Sequence, residues 1–130
     1  MTAGSSPRRQ SRSRIESFRH AFSGLWYMLR TQRNSWIHST ATVCVIALGL
    51  WLDLGLIQWA ILVLTIGLVW MAEFVNTALE AVVDLASPDI HPLARVGKDV
   101  GAAAVLVAAI TSVVVGLLIL GPALWARLWG

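Results

Sequence analysis

Long apolar stretches separated by short polar joints organise this chain. Residues 35–52, "SWIHSTATVCVIALGLWL", hold no Asp, Glu, Lys or Arg, and neither do residues 54–72 or 100–126. A hydrocarbon core of about 30 Å takes roughly 20 helical residues to cross. The pattern predicts three transmembrane helices, at about 33–52, 56–84 and 92–120. Upstream, Ile15, Phe18, Phe22, Leu25, Trp26 and Leu29 recur at helical spacing, with Glu16, Ser17, His20, Ser23 and Arg30 on the other side. That spacing predicts an amphipathic helix over 15–30 lying in the membrane interface, with packing on a soluble partner as the alternative. Residues 1–14, "MTAGSSPRRQSRSR", are small, polar and basic. They predict a disordered tail against anionic headgroups. The fold class expected is an all-α membrane protein, with residues 15–130 as a single integral membrane domain.

The joints carry their own signals. "WLDLGLIQW" reads as a tight hairpin with Asp53 and Gly55 at the turn and Trp51 and Trp59 flanking it at headgroup level. In "SPDIHP", Pro88 ends one helix and Pro92 starts the next. In the last helix Gly97 and Gly101 are four apart, as are Ala104, Ala108, Ser112 and Gly116. Small residues at that spacing let backbones approach in lipid and predict a packed bundle or oligomer.

Composition agrees with lipid as the solvent. Of 130 residues, 57% are hydrophobic and 13% charged, and the mean hydropathy is positive. The net charge of +3 matters less than its placement. Seven of the ten Lys and Arg lie at or before Arg33, while Arg95 and Lys98 lie between the second and third spans. The hairpin at Asp53 has neither. The positive-inside rule puts the N-terminus and the 84–98 loop in the cytoplasm. A nucleic-acid partner is not expected, because it leaves the apolar runs unexplained. No short apolar core with a cleavage site precedes the first span, so no cleavable signal is expected. Cys44 stands alone, has no internal disulfide partner, and reads as inert packing.

One segment breaks the apolar logic. After "WAILVLTIGLVW" comes "MAEFVNTALEAVVD", which puts Glu73, Asn76, Glu80 and Asp84 at the end of the second span. At 100° per residue the four fall within about 80° of one another, as one polar stripe. A charge at mid-membrane costs roughly 3 kcal/mol, so Glu73 and Glu80 must face protein, water or a metal. If the span enters the core near Ile57, Glu73 lies about 24 Å deeper, near the cytoplasmic boundary. Arg95, Lys98 and Asp99 follow across a short loop. Carboxylates suit Mg²⁺, which binds through one or two of them plus substrate phosphates. A lysine suits the phosphates themselves. A carboxylate at the lipid boundary is placed to take a proton from a lipid alcohol. The combination reads as phosphoryl transfer from a nucleotide to a membrane alcohol, without a Walker A or soluble-kinase Gly-rich loop. The same residues also allow a purely structural pairing between helices, with Asn76 as a clamp, or proton-coupled transport. A small multidrug-type transporter would need a carboxylate deep in the first span, which has none. His38 reads as a capping or interfacial residue, His20 as solvated, and Trp70 as packing.

At these residues the sequence resembles the prokaryotic diacylglycerol kinase and undecaprenol kinase family. "EFVNTALEAVVDL", "SPDIHPLARVGKDVGAAAVLVAA" and "FRHAFSGLWYMLRTQRNSWIH" carry the resemblance, over roughly residues 15–120. It implies a homotrimer with three transmembrane helices per chain and active sites shared between neighbours. It implies ATP as phosphate donor, Mg²⁺, and a lipid alcohol as acceptor. By the resemblance, Glu73 is the general base, Glu80 a Mg²⁺ ligand, and Asn76, Asp84, His91, Lys98 and Asp99 the nucleotide site. Gln32 stands where the family usually carries a glutamate as second metal ligand. Weakened metal affinity with activity retained is the reading preferred here. Compensation by another carboxylate, and a catalytically impaired protein or scaffold, are the alternatives. The loop "HPLARVGKD" and the "RN" after Gln32 look more like the undecaprenol kinase branch, with diacylglycerol as the alternative acceptor. The expected location is the bacterial inner membrane, multi-pass, with N-terminus and active site on the cytoplasmic side.

Overall fold

The computed structural model describes residues 14–89 and 91–130. Four helices account for nearly all of them: α1 (Arg14–Thr31), α2 (Arg33–Trp51), α3 (Leu56–Ala86) and α4 (Pro92–Trp129). Apart from Arg14, the basic tail expected over 1–14 lies outside the described residues. The chain divides into two compact units at the Gln32–Arg33 junction.

In the first unit, α1 leaves Ile15, Phe18, Phe22 and Trp26 exposed to what surrounds it. Glu16 and His20, one turn apart, approach to 3.9 Å, and the Arg30 guanidinium lies over the Trp26 ring at 5.2 Å. Such a helix, with large apolar side chains uncovered and a charged face beside them, has the composition of an interfacial helix. The Gln32 N–H still donates to the Met28 carbonyl as the helix ends.

In the second unit, α3 and α4 are each long and apolar enough to cross a membrane. By the same measure α2 falls short, because Arg33, Asn34, Ser35, His38, Ser39 and Thr40 fill its first turns. The α3–α4 pair is the most extensively packed. Its buried positions on α4 are Gly101, Val105 and Ala108, spaced four and three, and on α3 Leu62, Val69, Glu73, Asn76 and Thr77. The expected small-residue stripe is therefore real at Gly101 and Ala108, whereas Ala104 is exposed. At Gly101 the absence of a side chain decides the packing. An added Cβ would collide with Asn76 Oδ1 and stand 3.2 Å from Leu79 Cδ2.

The α2–α3 hairpin closes as the sequence predicts, around Asp53, whose φ of 53° is the left-handed conformation that Asp tolerates. The Gly55 N–H donates to Gln58 Oε1 at 2.9 Å and caps α3. Leu52, Leu54 and Leu62 form a small core there, with Trp59, Ile119 and Leu124 packed on it. Trp51 is half uncovered, as expected of a headgroup residue, but Trp59 turns inward. A Cβ on Gly49 would sit 2.9 Å from the Trp59 ring, so Gly49 makes the space that draws it in. α4 runs past Pro122 to Trp129, nine residues beyond the predicted end. The proline removes one backbone donor, and the helix continues with Trp125 and Trp129 stacked at 4.9 Å.

Hydroxyls in the apolar runs are satisfied locally. Thr40, Thr42, Thr65 and Thr111 each donate to the carbonyl four residues back. In hydrocarbon, where water cannot serve, that bond removes the cost of an exposed hydroxyl.

Candidate functional site

The polar stripe of α3 folds as one face, with burial falling along it. Glu73 and Asn76 are buried, at 2% and 8% exposure, Glu80 is half-buried, and Asp84 is exposed. The sequence spacing required this alignment; tertiary packing against α2 and α4 supplied the gradient. Asn76 Nδ2 donates to Glu80 Oε1 at 3.0 Å, fixing both side chains along the helix. On this face two buried acceptors have no hydrogen-bond partner among the described residues: Glu73 Oε2 and Asn76 Oδ1. An unsatisfied buried acceptor costs about 1–3 kcal/mol, so such atoms are rare in a fold unless something else completes them.

One turn beyond Glu80 the stripe reaches the α3–α4 loop. Asp84, His91, Lys98 and Asp99, all predicted from sequence, line one open pocket there with Ser87 and Arg95. Lys98 Nζ lies 2.5 Å from Asp84 Oδ1. Arg95 Nε lies 3.8 Å from Asp99 Oδ2, one turn along α4, with both side chains mostly exposed. Exposed pairs of this kind hold each other weakly, at about 0–1 kcal/mol, so both cations are free to exchange a carboxylate for phosphate oxygens. His91 has a structural task as well: its Nδ1 accepts from the Leu93 N–H at 3.2 Å and caps α4 ahead of Pro92. Asn76 and Glu80 do not line this pocket; they lie on the stripe between it and Glu73.

The donor set fits a hard divalent cation. Glu80 and Asp84 are carboxylates one turn apart on one helix face; Asn76 Nδ2 donates to Glu80, while its Oδ1 is turned toward α4 at Gly101. Among the described residues no group of three His, Cys, Asp or Glu side chains forms a metal cage. Mg²⁺ does not need one, because it keeps several waters and binds through one or two carboxylates plus substrate phosphates. Gln32 belongs to the first unit.

Sequence reasoning missed the surroundings of Glu73. His38, expected to cap or face the interface, lies with its Nε2 3.9 Å from Glu73 Oε2, its side chain 15% exposed. Trp70 packs edge-on to the His38 ring at 6.4 Å and beside Phe74 at 6.1 Å. The Trp70 Nε1–H donates to Thr42 Oγ1 at 3.2 Å. The Thr42 hydroxyl in turn donates to the His38 carbonyl at 2.7 Å. His38 and Thr42 are four apart on α2, so they share a face; that spacing was the available signal. The same two residues line a cleft whose other walls include Val45, Leu62, Ile66 and Val69. The cleft is apolar over most of its lining, as a space for a hydrocarbon chain would be.

Comparison with known proteins follows this geometry. The family described as prokaryotic diacylglycerol kinase matches residues 19–120. The chain is 43% identical over 110 residues to an undecaprenol kinase of Bacillus subtilis, covering 85% of this chain and 89% of that one. It is 48% identical over 111 residues to a diacylglycerol kinase of Synechocystis, of whose length it spans only 63%. It is 34% identical over 95 residues to a diacylglycerol kinase of Escherichia coli, covering 68% of this chain and 78% of the relative.

Proposed function

The chain belongs to the prokaryotic diacylglycerol kinase family, and we propose that this lipid kinase transfers the γ-phosphoryl group of ATP to undecaprenol, giving undecaprenyl phosphate. The observation that carries the reading is Glu73: a buried carboxylate with an unused oxygen, at the apolar end of a stripe that runs to a cationic pocket. The lipid hydroxyl meets Glu73 at the edge of the apolar cleft. The nucleotide phosphates reach it from the loop side.

In this reading Glu73 takes the proton of the lipid hydroxyl as its oxygen attacks the γ-phosphorus. The new P–O bond forms while the bond to the β-phosphate oxygen breaks, and ADP leaves. Lys98, released from Asp84, holds the nucleotide phosphates, and Asp99 holds Arg95 beside them. Asn76 orients Glu80 through their hydrogen bond. Glu80 would hold Mg²⁺, which when bound offsets the charge gathering on the phosphoryl oxygens, and Asp84 borders the nucleotide. Gln32 adds a neutral oxygen in place of a charged one, which weakens metal binding and leaves turnover in place.

The chain works as a homotrimer with sites shared between neighbours. Support comes from the large apolar side chains that one chain leaves uncovered along its helices. α2, α3 and α4 each cross the bacterial inner membrane, with α1 on its cytoplasmic surface. The distribution of Lys and Arg supports that orientation.

A second reading, with diacylglycerol as acceptor and phosphatidic acid as product, is favoured by the 48% identity to the Synechocystis protein. Phosphate transfer from Mg²⁺-ATP in mixed micelles offering both alcohols distinguishes them. Faster transfer to undecaprenol is expected; faster transfer to diacylglycerol reverses the acceptor and keeps the mechanism. Transfer to neither removes both.

A further inference from the structure

We infer that His38 is the positioning residue of the site, acting through Glu73 by accepting the proton that Glu73 takes from the lipid hydroxyl. The inference rests on the assignment of Glu73 as the base. His38 Nε2 and Glu73 Oε2 are 3.9 Å apart across the α2–α3 interface. That carboxylate oxygen is buried and has no hydrogen-bond partner among the described residues. Catalytic hydrogen bonds are commonly long before substrate binds and tighten in the complex. No other basic side chain of α2, α3 or α4 lies within ion-pair distance of Glu73 among the described residues.

The imidazole is held in place by the residues around it. Thr42 ties the Trp70 indole to the His38 turn through two hydrogen bonds, and the Trp70 ring packs edge-on against the imidazole. Trp70 stands one turn before Glu73 on α3, so the helix carrying the carboxylate also braces its partner.

The chemistry explains why such a partner is needed. Glu73 is almost fully enclosed, at 2% exposure. Once it has taken a proton it has little access to water to release it. Neutral His38, more exposed, receives that proton at Nε2: the carboxyl O–H bond breaks, the N–H bond forms, and Glu73 returns to its ionised state. The imidazolium then loses the proton to solvent. The lipid phosphate and ADP have by then formed, so no further reactant is required.

The test uses the full-length protein in mixed micelles with undecaprenol and Mg²⁺-ATP. His38→Gln keeps much of the size and hydrogen-bonding capacity of the side chain but takes up no proton. It is expected to lower kcat about 10²-fold, the lower end for acid–base assistance, with KM for ATP and thermal midpoint unchanged. His38→Ala should fall comparably and regain several-fold activity with added imidazole, while Glu73→Gln gains nothing from it. Wild-type turnover by His38→Gln, or a His38→Ala variant that imidazole fails to restore, overturns the inference and leaves Glu73 as base. Wild-type turnover by Glu73→Gln overturns both.

Discussion

Gly101 is the position where helix packing and site geometry are most tightly joined. A methyl group there collides with Asn76 Oδ1 and presses on Leu79 Cδ2 at 3.2 Å. Either α4 moves off α3 or Asn76 turns away. Overpacking of this kind costs about 1–3 kcal/mol, and replacing a mid-helix glycine by alanine returns about 1 kcal/mol. The net loss of stability in Gly101→Ala is therefore about 0–2 kcal/mol, and the protein still folds. The site fares worse. If Asn76 turns, its hydrogen bond to the Glu80 carboxylate is lost. Bonds to charged groups are worth about 1.5–3 kcal/mol. If that whole amount is realised in the transition state, kcat falls about 10- to 150-fold. The assay is phosphate transfer in mixed micelles, with thermal unfolding measured on the same samples. Gly67→Ala is the control, because a Cβ there meets nothing within 4 Å; it should keep full turnover. A Gly101→Ala variant with wild-type kcat would refute the claim that Asn76 must hold Glu80.

Other perturbations separate the remaining parts of the site. Lys98→Met should raise KM for ATP about tenfold with a smaller change in kcat, since it removes a phosphate contact already present in the bound ground state; initial rates against ATP concentration measure this. His91→Ala removes the cap on α4 and should lower stability by about 1 kcal/mol, read as a drop in thermal midpoint. Gln32→Glu should lower the Mg²⁺ concentration needed for half-maximal rate, read from a metal titration at fixed ATP; an unchanged titration would remove Gln32 from the metal site.

The helices were legible because their cause is local. Charge-free runs, prolines at the α3–α4 joint and the Asp53 turn each act within a few residues, and the predicted boundaries fall close to the observed ones except at the end of α4. The end of α4 was set too early: the helix continues past Pro122 to Trp129, with Trp125 and Trp129 stacked on its last turns. The acidic stripe was legible because helical periodicity alone aligns Glu73, Asn76, Glu80 and Asp84. The partnership of His38 with Glu73 was not, since nothing along the sequence links positions 35 residues apart. It exists only once α2 packs on α3. The same holds for Gly101, whose spacing suggested close packing but not that Asn76 is what it makes room for.

The central claim is that Glu73 is the base for phosphoryl transfer to a lipid alcohol. Its most direct test follows labelled γ-phosphate from ATP into undecaprenol, comparing the native chain with Glu73→Gln at matched oligomeric state and thermal midpoint. The account predicts rapid labelling by the native chain and a loss of at least about 10²-fold in the variant, with assembly unchanged. Equal labelling by the two proteins would contradict it.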